Sequence, residues 1–333
     1  MTNLMKFTVT LSLIFSINHV YADREAFEST YVPLAPEKIV IQNASIYDGD
    51  GGEFFETDVL VEDGKIIAIG KDLPFSNEFK VIDATGKWVT PGIIDIHSHM
   101  GVYPAPGVRT SSDGNEATSP VTADVWAEHS IWVQDPQYAL ALTGGVTAFH
   151  ILPGSANLIG GRGVTVKNLQ RNTINSMKFP EAPHSLKMAC GENPKRVYGN
   201  RGQAPSTRMG NAAGYRKSWI QAEGYLRRLN EYEEKSDEAK ELEYAPTRDL
   251  EMETLVGVLK GEILVHNHCY RADEMATMID IAKEFNYKIT AFHHGVEAYK
   301  IADLLADNGI CGALWADWWG FKHEAYDLSL IHI

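Results

Sequence analysis

The sequence predicts an α/β protein: a parallel (β/α)8 barrel of the TIM type, incomplete because its eighth strand is missing, behind a small N-terminal β-sandwich subdomain. Three observations carry this expectation. From residue 93 onward, short apolar runs rich in β-branched residues alternate with helical patterns, the order that builds a helix-covered parallel sheet. Residues 23–90 hold strand-like runs and turn signals with no helix between them. Histidines stand at the ends of three of the expected barrel strands.

The chain has 333 residues, enough for one large domain and a smaller one, and 44% hydrophobic with 22% charged residues is ordinary for a folded protein. A formal charge of −14 argues against a nucleic-acid binder or a protein that coats acidic membranes. Residues 1–22 have the layout of a secretory signal peptide: Lys6, an apolar run from Phe7 to Ile17, and Val20-Tyr-Ala22 as the cleavage site. A secreted or periplasmic location is therefore expected. No second stretch is long enough to span a bilayer. Cys190, Cys269 and Cys311 are an odd number without metal-like spacing, and are expected to be small buried residues rather than a disulfide framework.

In the N-terminal part, Ile39-Val-Ile41, Ile46-Tyr47, Val59-Leu-Val61, Ile66 to Ile69, Val81-Ile-Asp83 and Trp88-Val89 are expected strands. Asp63-Gly64 is the tip of a hairpin. The first barrel strand contains Ile93, Ile94 and Ile96, expected to be buried, and ends at His97 and His99. Asp135 is an expected N-cap, with Pro136 opening the helix. The second strand is Val146 to Leu152. Gly160-Gly-Arg-Gly163 is expected to be a loop whose backbone N–H groups can approach a ligand. The third strand is Val164 to Val166 and the fourth is Leu186 to Cys190, followed by Gly191-Glu-Asn193. A charged helical region covers Trp219 to Leu242. The fifth strand ends at His268, the sixth at His293-His294, and the seventh runs from Gly312 to Ala316. Met275, Met278, Ile279 and Ala282 share one helix face and are expected in the core.

Side chains two apart on a strand share a face, so His97 and His99 point the same way from one strand tip. Strand C-termini converge on one mouth of such a barrel, which gathers scattered histidines into one cluster. Neutral imidazoles there suit a divalent metal, zinc above all. On the fifth strand His268 is preferred over His266, being one pleat nearer the mouth. On the sixth, His293 and His294 alternate sides; His294, beside Gly295, is taken first. Glu192, just past the fourth strand, offers an anionic oxygen.

These residues resemble the amidohydrolase superfamily, and within it the secreted, imidazolonepropionase-like branch. The likeness covers residues 36–327 and rests on five stretches. They are Thr90-Pro-Gly-Ile-Ile-Asp-Ile-His-Ser-His99, Leu152-Pro-Gly-Ser-Ala-Asn157, Gly191-Glu-Asn-Pro-Lys195, His268-Cys-Tyr-Arg-Ala-Asp273 and His294-Gly-Val-Glu-Ala-Tyr299. The resemblance implies metal ligation by His97, His99, His268 and His294, with one or two ions. Many members carry a carboxylated lysine at the fourth strand. Here Glu192 is expected to take that place, with Lys187 as the alternative. The resemblance also implies that the N-terminal sandwich is completed by strands from the far end of the chain.

The expected function is metal-dependent hydrolysis of a C–N bond in a small molecule: a cyclic amide, an N-acyl amino acid or a dipeptide. Lys195, Arg201 and Arg271 are candidates to hold a substrate carboxylate, Arg271 foremost. The family's strand-eight aspartate, its proton shuttle, has no counterpart before the sequence ends. Residues 328–333 match a translated transposon end used in DNA library preparation, so truncation with an artefactual tail, and an inactive chain, are expected. The rivals are a secreted metal- or ligand-binding barrel without turnover and an inactive gene fragment. A homo-oligomer is compatible with the sequence.

Overall fold

The computed structural model describes residues 27–34 and 37–315. The expected signal peptide (1–22), the end of the seventh strand at Ala316 and the expected tail (328–333) lie outside the described residues.

Five short strands make the N-terminal sheet: β1 (Ile39–Tyr47), β2 (Glu53–Glu62), β3 (Lys65–Gly70), β4 (Lys80–Asp83) and β5 (Trp88–Val89). Their order is β3-β2-β1-β4, with β5 also paired to β1. The β2–β3 hairpin turns at Asp63 (φ 52°) and Gly64 (φ 72°). Positive φ at both positions is the primed turn that an Asp-Gly tip favours. Ala44, Ile46, Val59 and Ala84 form its small core. Among the described residues it is a single layer rather than a sandwich, and Phe55, Ile66, Ile69, Val81 and Trp88 remain exposed.

The second sheet has seven strands: β6 (Ile93–Ser98), β7 (Val146–Ile151), β8 (Ile159–Lys167), β9 (Ser185–Ala189), β10 (Leu264–His268), β11 (Ile289–His293) and β12 (Cys311–Ala313). They lie in chain order across it, as consecutive β/α steps require. One strand departs from expectation. β8 is antiparallel to both β7 and β9. A parallel return needs a crossover of about a dozen residues or more, usually helical. Segment 152–158 is too short for one, so the chain doubles back. Residues 160–163, expected as a ligand-approaching loop, are inside this strand. The glycines there admit close packing: a Cβ on Gly161 (φ +103°) would sit 2.3 Å from the Val125 carbonyl oxygen.

Among the described residues seven α-helices flank the sheet, and residues 208–233, 250–259 and 272–284 cover the outside of β9–β11. The helices are α1 (Gln137–Thr143), α2 (Glu192–Gly199), α3 (Arg208–Glu233), α4 (Asp237–Leu242), α5 (Leu250–Leu259), α6 (Ala272–Glu284) and α7 (Ala302–Asp307). Helix α3 begins at Arg208, well before the expected Trp219, and buries Tyr215, Trp219, Ala222, Tyr225 and Leu229. These meet Leu186, Met188, Val265 and Phe292 of the sheet, and Met275, Met278, Ile279 and Ala282 of α6 join the same core as expected. Asp135 stands one residue before the N-cap Pro136, yet it still accepts the Gln137 N–H at 3.0 Å. Its other oxygen accepts from Gly101 N–H, two residues past His99.

Ile93, Ile94 and Ile96 are exposed, contrary to expectation. β6 is an edge strand of the open sheet, and nothing among the described residues covers that side. The cysteines also differ. Cys190 and Cys269 form a disulfide with Cα atoms 5.2 Å apart, and Cys311 is exposed. They follow the last residues of two neighbouring parallel strands, a pairing that their separation of 79 in sequence could not reveal. In the chain-entropy picture, closing so long a loop stabilises the fold by about 4 kcal/mol.

Candidate metal centre

Register places the side chains. In the ladders around β10, His268 stands opposite Ala189 of β9 and His293 of β11, and His266 stands opposite Lys187. Residues at the same level of neighbouring strands point to the same face, so Lys187 and the histidines enter one interior. The β6 tip reaches the same place from the open edge. The His97 ring is 4.4 Å from that of His294 and 4.7 Å from that of His293, centroid to centroid. His97 and His99 are 5.0 Å apart, and His268 and His294 4.7 Å.

All four expected histidine ligands are thus brought together. His294 gets there by an unusual backbone. Its φ of 55° lies in the left-handed region, which a non-glycine residue adopts only where surrounding structure enforces it. It has therefore left the strand's alternation, and this is why pleat geometry did not choose between His293 and His294. His293 has a different setting. Its Nδ1 is 2.9 Å from His97 Nδ1, and its Nε2 is 2.8 Å from His266 Nδ1. Below these, the His150 ring packs 4.3 Å from His266, and His150 Nε2 meets Ser185 Oγ at 2.7 Å. His150 was not among the expected site residues; its one signal in the sequence is a polar residue in the otherwise apolar run Ala148–Leu152.

The hydrogen bonds prepare two nitrogens for a metal. His99 Nδ1 is 2.7 Å from the Leu152 carbonyl, which can only accept, so Nδ1 carries the proton and Nε2 keeps its lone pair. His97 is engaged through Nδ1, and its buried Nε2 has no partner among the described residues. Burial, aided by the nearby Lys187 charge, pulls His99 down to about 4. Burial likewise lowers His97, and takes His266 and His293 to about 2. His97, His99, His266 and His293 are therefore neutral at pH 7, the form that ligates.

Lys187 is the strongest anomaly in the barrel. It is 1% exposed, its Nζ has no hydrogen-bond partner among the described residues, and burial pushes its pKa from 10.5 to about 7. Its charge acts on His97, His99, His150, His266 and His293. Glu192, placed first by the sequence reading, is in the opening turn of α2 and half-buried. Its neighbour Asn193 has Nδ2 3.2 Å from His268 Nε2. Arg271 forks onto Asp273 with bonds of 2.7 and 2.9 Å, and Arg201 donates to the Ala117 carbonyl. His97 and His99 with lone pairs on Nε2, two further histidines beside them and a buried amine fit a divalent cation. The ring nitrogens are not drawn to a single point: the one trio of potential ligand atoms within 4.8 Å of one another among the described residues is Cys190, Cys269 and Glu274.

A cavity of about 410 Å³ opens at the same end of the barrel, bounded by Val102, Asn115, Glu116, Trp126, Pro153 and Gly160. Tyr103 links it to the cluster: its ring packs 5.7 Å from His99 and its hydroxyl donates to Asn115 Oδ1 at 3.1 Å.

Comparison with known proteins places this architecture. The crystal structure of an amidohydrolase from Thermotoga maritima superposes with a TM-score of 0.80 at 38% identity, over 88% of this chain and 74% of that one. The chain belongs to the amidohydrolase superfamily. Amidohydrolase tasK of Hapsidospora irregularis is 36% identical over 302 residues, covering 84% of this amidohydrolase chain but 30% of that protein. A dihydroorotase of Lactobacillus helveticus is 47% identical over 74 residues, 22% of this chain and 16% of its own length. The chain thus spans well under half of the curated relatives it matches. No protein-family model matches it.

Proposed function

We propose that this superfamily member is a metal-dependent hydrolase of C–N bonds in small molecules, acting on cyclic amides, N-acyl amino acids or dipeptides. The observation that carries the proposal is the convergence of His97, His99, His268 and His294 on one barrel mouth beside the buried Lys187. His97 and His99 would hold the ion through Nε2, and His268 and His294 would face it across the mouth. A divalent metal there, zinc by the chemistry of an imidazole-rich donor set, supplies Lewis acidity toward water and a carbonyl group.

The fourth strand favours Lys187 over Glu192 as the anionic partner. A lysine pushed to about 7 is largely a free amine just above neutrality. Its nitrogen lone pair can add to carbon dioxide, forming a C–N bond and losing a proton. The resulting carbamate would carry two oxygens sharing one negative charge just beyond Nζ, amid the histidines, with the proton released to solvent. His293, bonded to both His97 and His266, holds the His97 ring in place. The cavity beside Tyr103, polar and bordered by Asn115 and Glu116, suits a small polar substrate.

The test uses protein expressed from its complete reading frame. Metal content is measured alongside turnover of a panel of cyclic amides, N-acyl amino acids and dipeptides. We expect one or two zinc ions per chain and hydrolysis of at least one substrate class, with His97→Ala losing both. Metal without turnover across the panel favours a binding barrel, and neither metal nor turnover sinks the proposal.

We also propose that the protein is secreted, as the residue 1–22 pattern suggests. Support comes from the Cys190–Cys269 disulfide, since such bridges persist in oxidising compartments. Among the described residues no helix is long and apolar enough to cross a membrane. N-terminal sequencing of the exported protein should find a start just after Ala22; an intact residue 1–22 segment on cytoplasmic protein would refute it.

A further inference from the structure

The Cys190–Cys269 disulfide lies against the metal centre. Cys269 directly follows His268, and Cys190 directly follows β9 and precedes the Gly191-Glu192 turn that opens α2. Backbone bonds carry the ladder up to these tips: Cys190 N–H donates to the His268 carbonyl at 2.8 Å, and Cys269 N–H to the His293 carbonyl at 3.1 Å. Past this point β9 turns away through Gly191 (φ +74°), while Asn193 brings its amide to 3.2 Å from His268 Nε2. The bridge is the covalent tie between the turn carrying Asn193 and the strand tip carrying His268.

Its outer side is also supported. Glu274 Oε2 lies 3.9 Å from Cys190 Sγ, and a Cβ on Gly191 would stand 2.8 Å from the same oxygen. Arg208 pairs with Glu274, and Asn211 Nδ2 donates to the Gly191 carbonyl at 3.0 Å. Cys190, Arg208, Asn211 and Glu274 border a cavity of about 280 Å³ between α3 and α6, a route for a small reductant to the bridge.

We propose that the Cys190–Cys269 disulfide is a positioning bridge for the metal centre: it holds His268 against Asn193 and His294, and opening it weakens metal binding before the barrel unfolds. This rests on the metal reading above. Groups that orient metal ligands from behind commonly change affinity by about 10–100-fold when removed.

The test compares the oxidised protein, the same protein opened by a water-soluble phosphine, and the Cys190→Ser/Cys269→Ser double variant. In the reduction the S–S bond breaks, each sulfur takes an electron and a proton, and the phosphine is oxidised with oxygen from water. Co²⁺ affinity is measured by chelator competition, the ligand-field absorption of bound Co²⁺ is recorded, and cooperative melting checks the fold. We expect both opened forms to bind Co²⁺ about 10–100-fold more weakly, with a shifted ligand-field band and an intact melting transition. If the double variant does not fold, the phosphine-opened protein alone decides. Equal affinity and an unshifted band in bridged and opened protein overturn the positioning role and leave the metal reading intact. A thiolate-to-cobalt charge-transfer band on reduction overturns it in favour of a separate Cys190, Cys269 and Glu274 site, whose ligand atoms lie within 4.8 Å of one another. An oxidised protein that binds no Co²⁺ overturns the metal reading, and the inference with it.

Discussion

Lys187→Met should raise the melting temperature of the metal-free protein while lowering its metal content. The two effects have one origin. Burial holds Lys187 at about 7 against an ordinary 10.5. Such a depressed lysine binds more protons unfolded than folded between those values, so stability rises with pH across that window. At pH 7 and below, nearly the whole penalty for burying the amine is present, on the order of 5 kcal/mol. Methionine has a similar length, no charge and no desolvation cost, so it removes the penalty. The gain over wild type should be full at pH 7 and below and vanish toward pH 10.5, which urea unfolding at several pH values in the presence of a chelator would measure. Metal analysis of the same variant should show the loss. A Lys187→Met variant no more stable than wild type at pH 7 would mean that water or a ligand already solvates the amine.

Glu128→Ala should have the opposite sign, a loss of about 3–5 kcal/mol, because removing one partner strands a buried charge. The Glu128 side chain is 1% exposed, 2.7 Å from Lys178 Nζ and 3.2 Å from His184 Nε2. Lys178 is itself buried and also donates to the Phe27 carbonyl, so it ties down residues 27–30 together with the Ser29 hydroxyl on its own carbonyl. Burial alone would raise the carboxyl pKa, but the His184 and Lys178 hydrogen bonds and their charges outweigh it, and the net direction is down. A depressed carboxylate stabilises above its unfolded value of 4.5 and loses that contribution as pH falls through its folded value. Wild type should therefore lose stability in acid faster than Glu128→Ala does. Amide exchange at Ser29 and Thr30 should also speed up in the variant, since Thr30 N–H is bonded to the Asn175 carbonyl in this strap. Parallel acid profiles for the two proteins would show that Glu128 is not the group involved.

Much of the architecture was legible because its signals are local. Alternation of apolar runs and helical faces is written within about ten residues, and it located β6, β7, β9, β10, β11 and the buried methionines of α6. The Asp63-Gly64 turn is a two-residue signal and folded as expected. His97, His99 and His268 follow from pleat counting at strand ends. What escaped was set by partners distant in sequence. Glycines in 160–163 look like a loop until Val125 and Ser185 are seen packing where their side chains would be. Cys190 and Cys269 look unrelated until β9 and β10 lie side by side.

Residue order alone was enough to specify a barrel of consecutive β/α steps with histidines at its strand tips, because strand and helix periods and strand-end position are properties of short segments. Long-range packing was needed to make β8 run backwards, to take His294 out of the strand's alternation, to join two cysteines, and to leave Lys187 as the buried amine amid the histidines. Each of those depends on what lies across a strand or a turn, and on how far water is excluded, which no window of the chain contains.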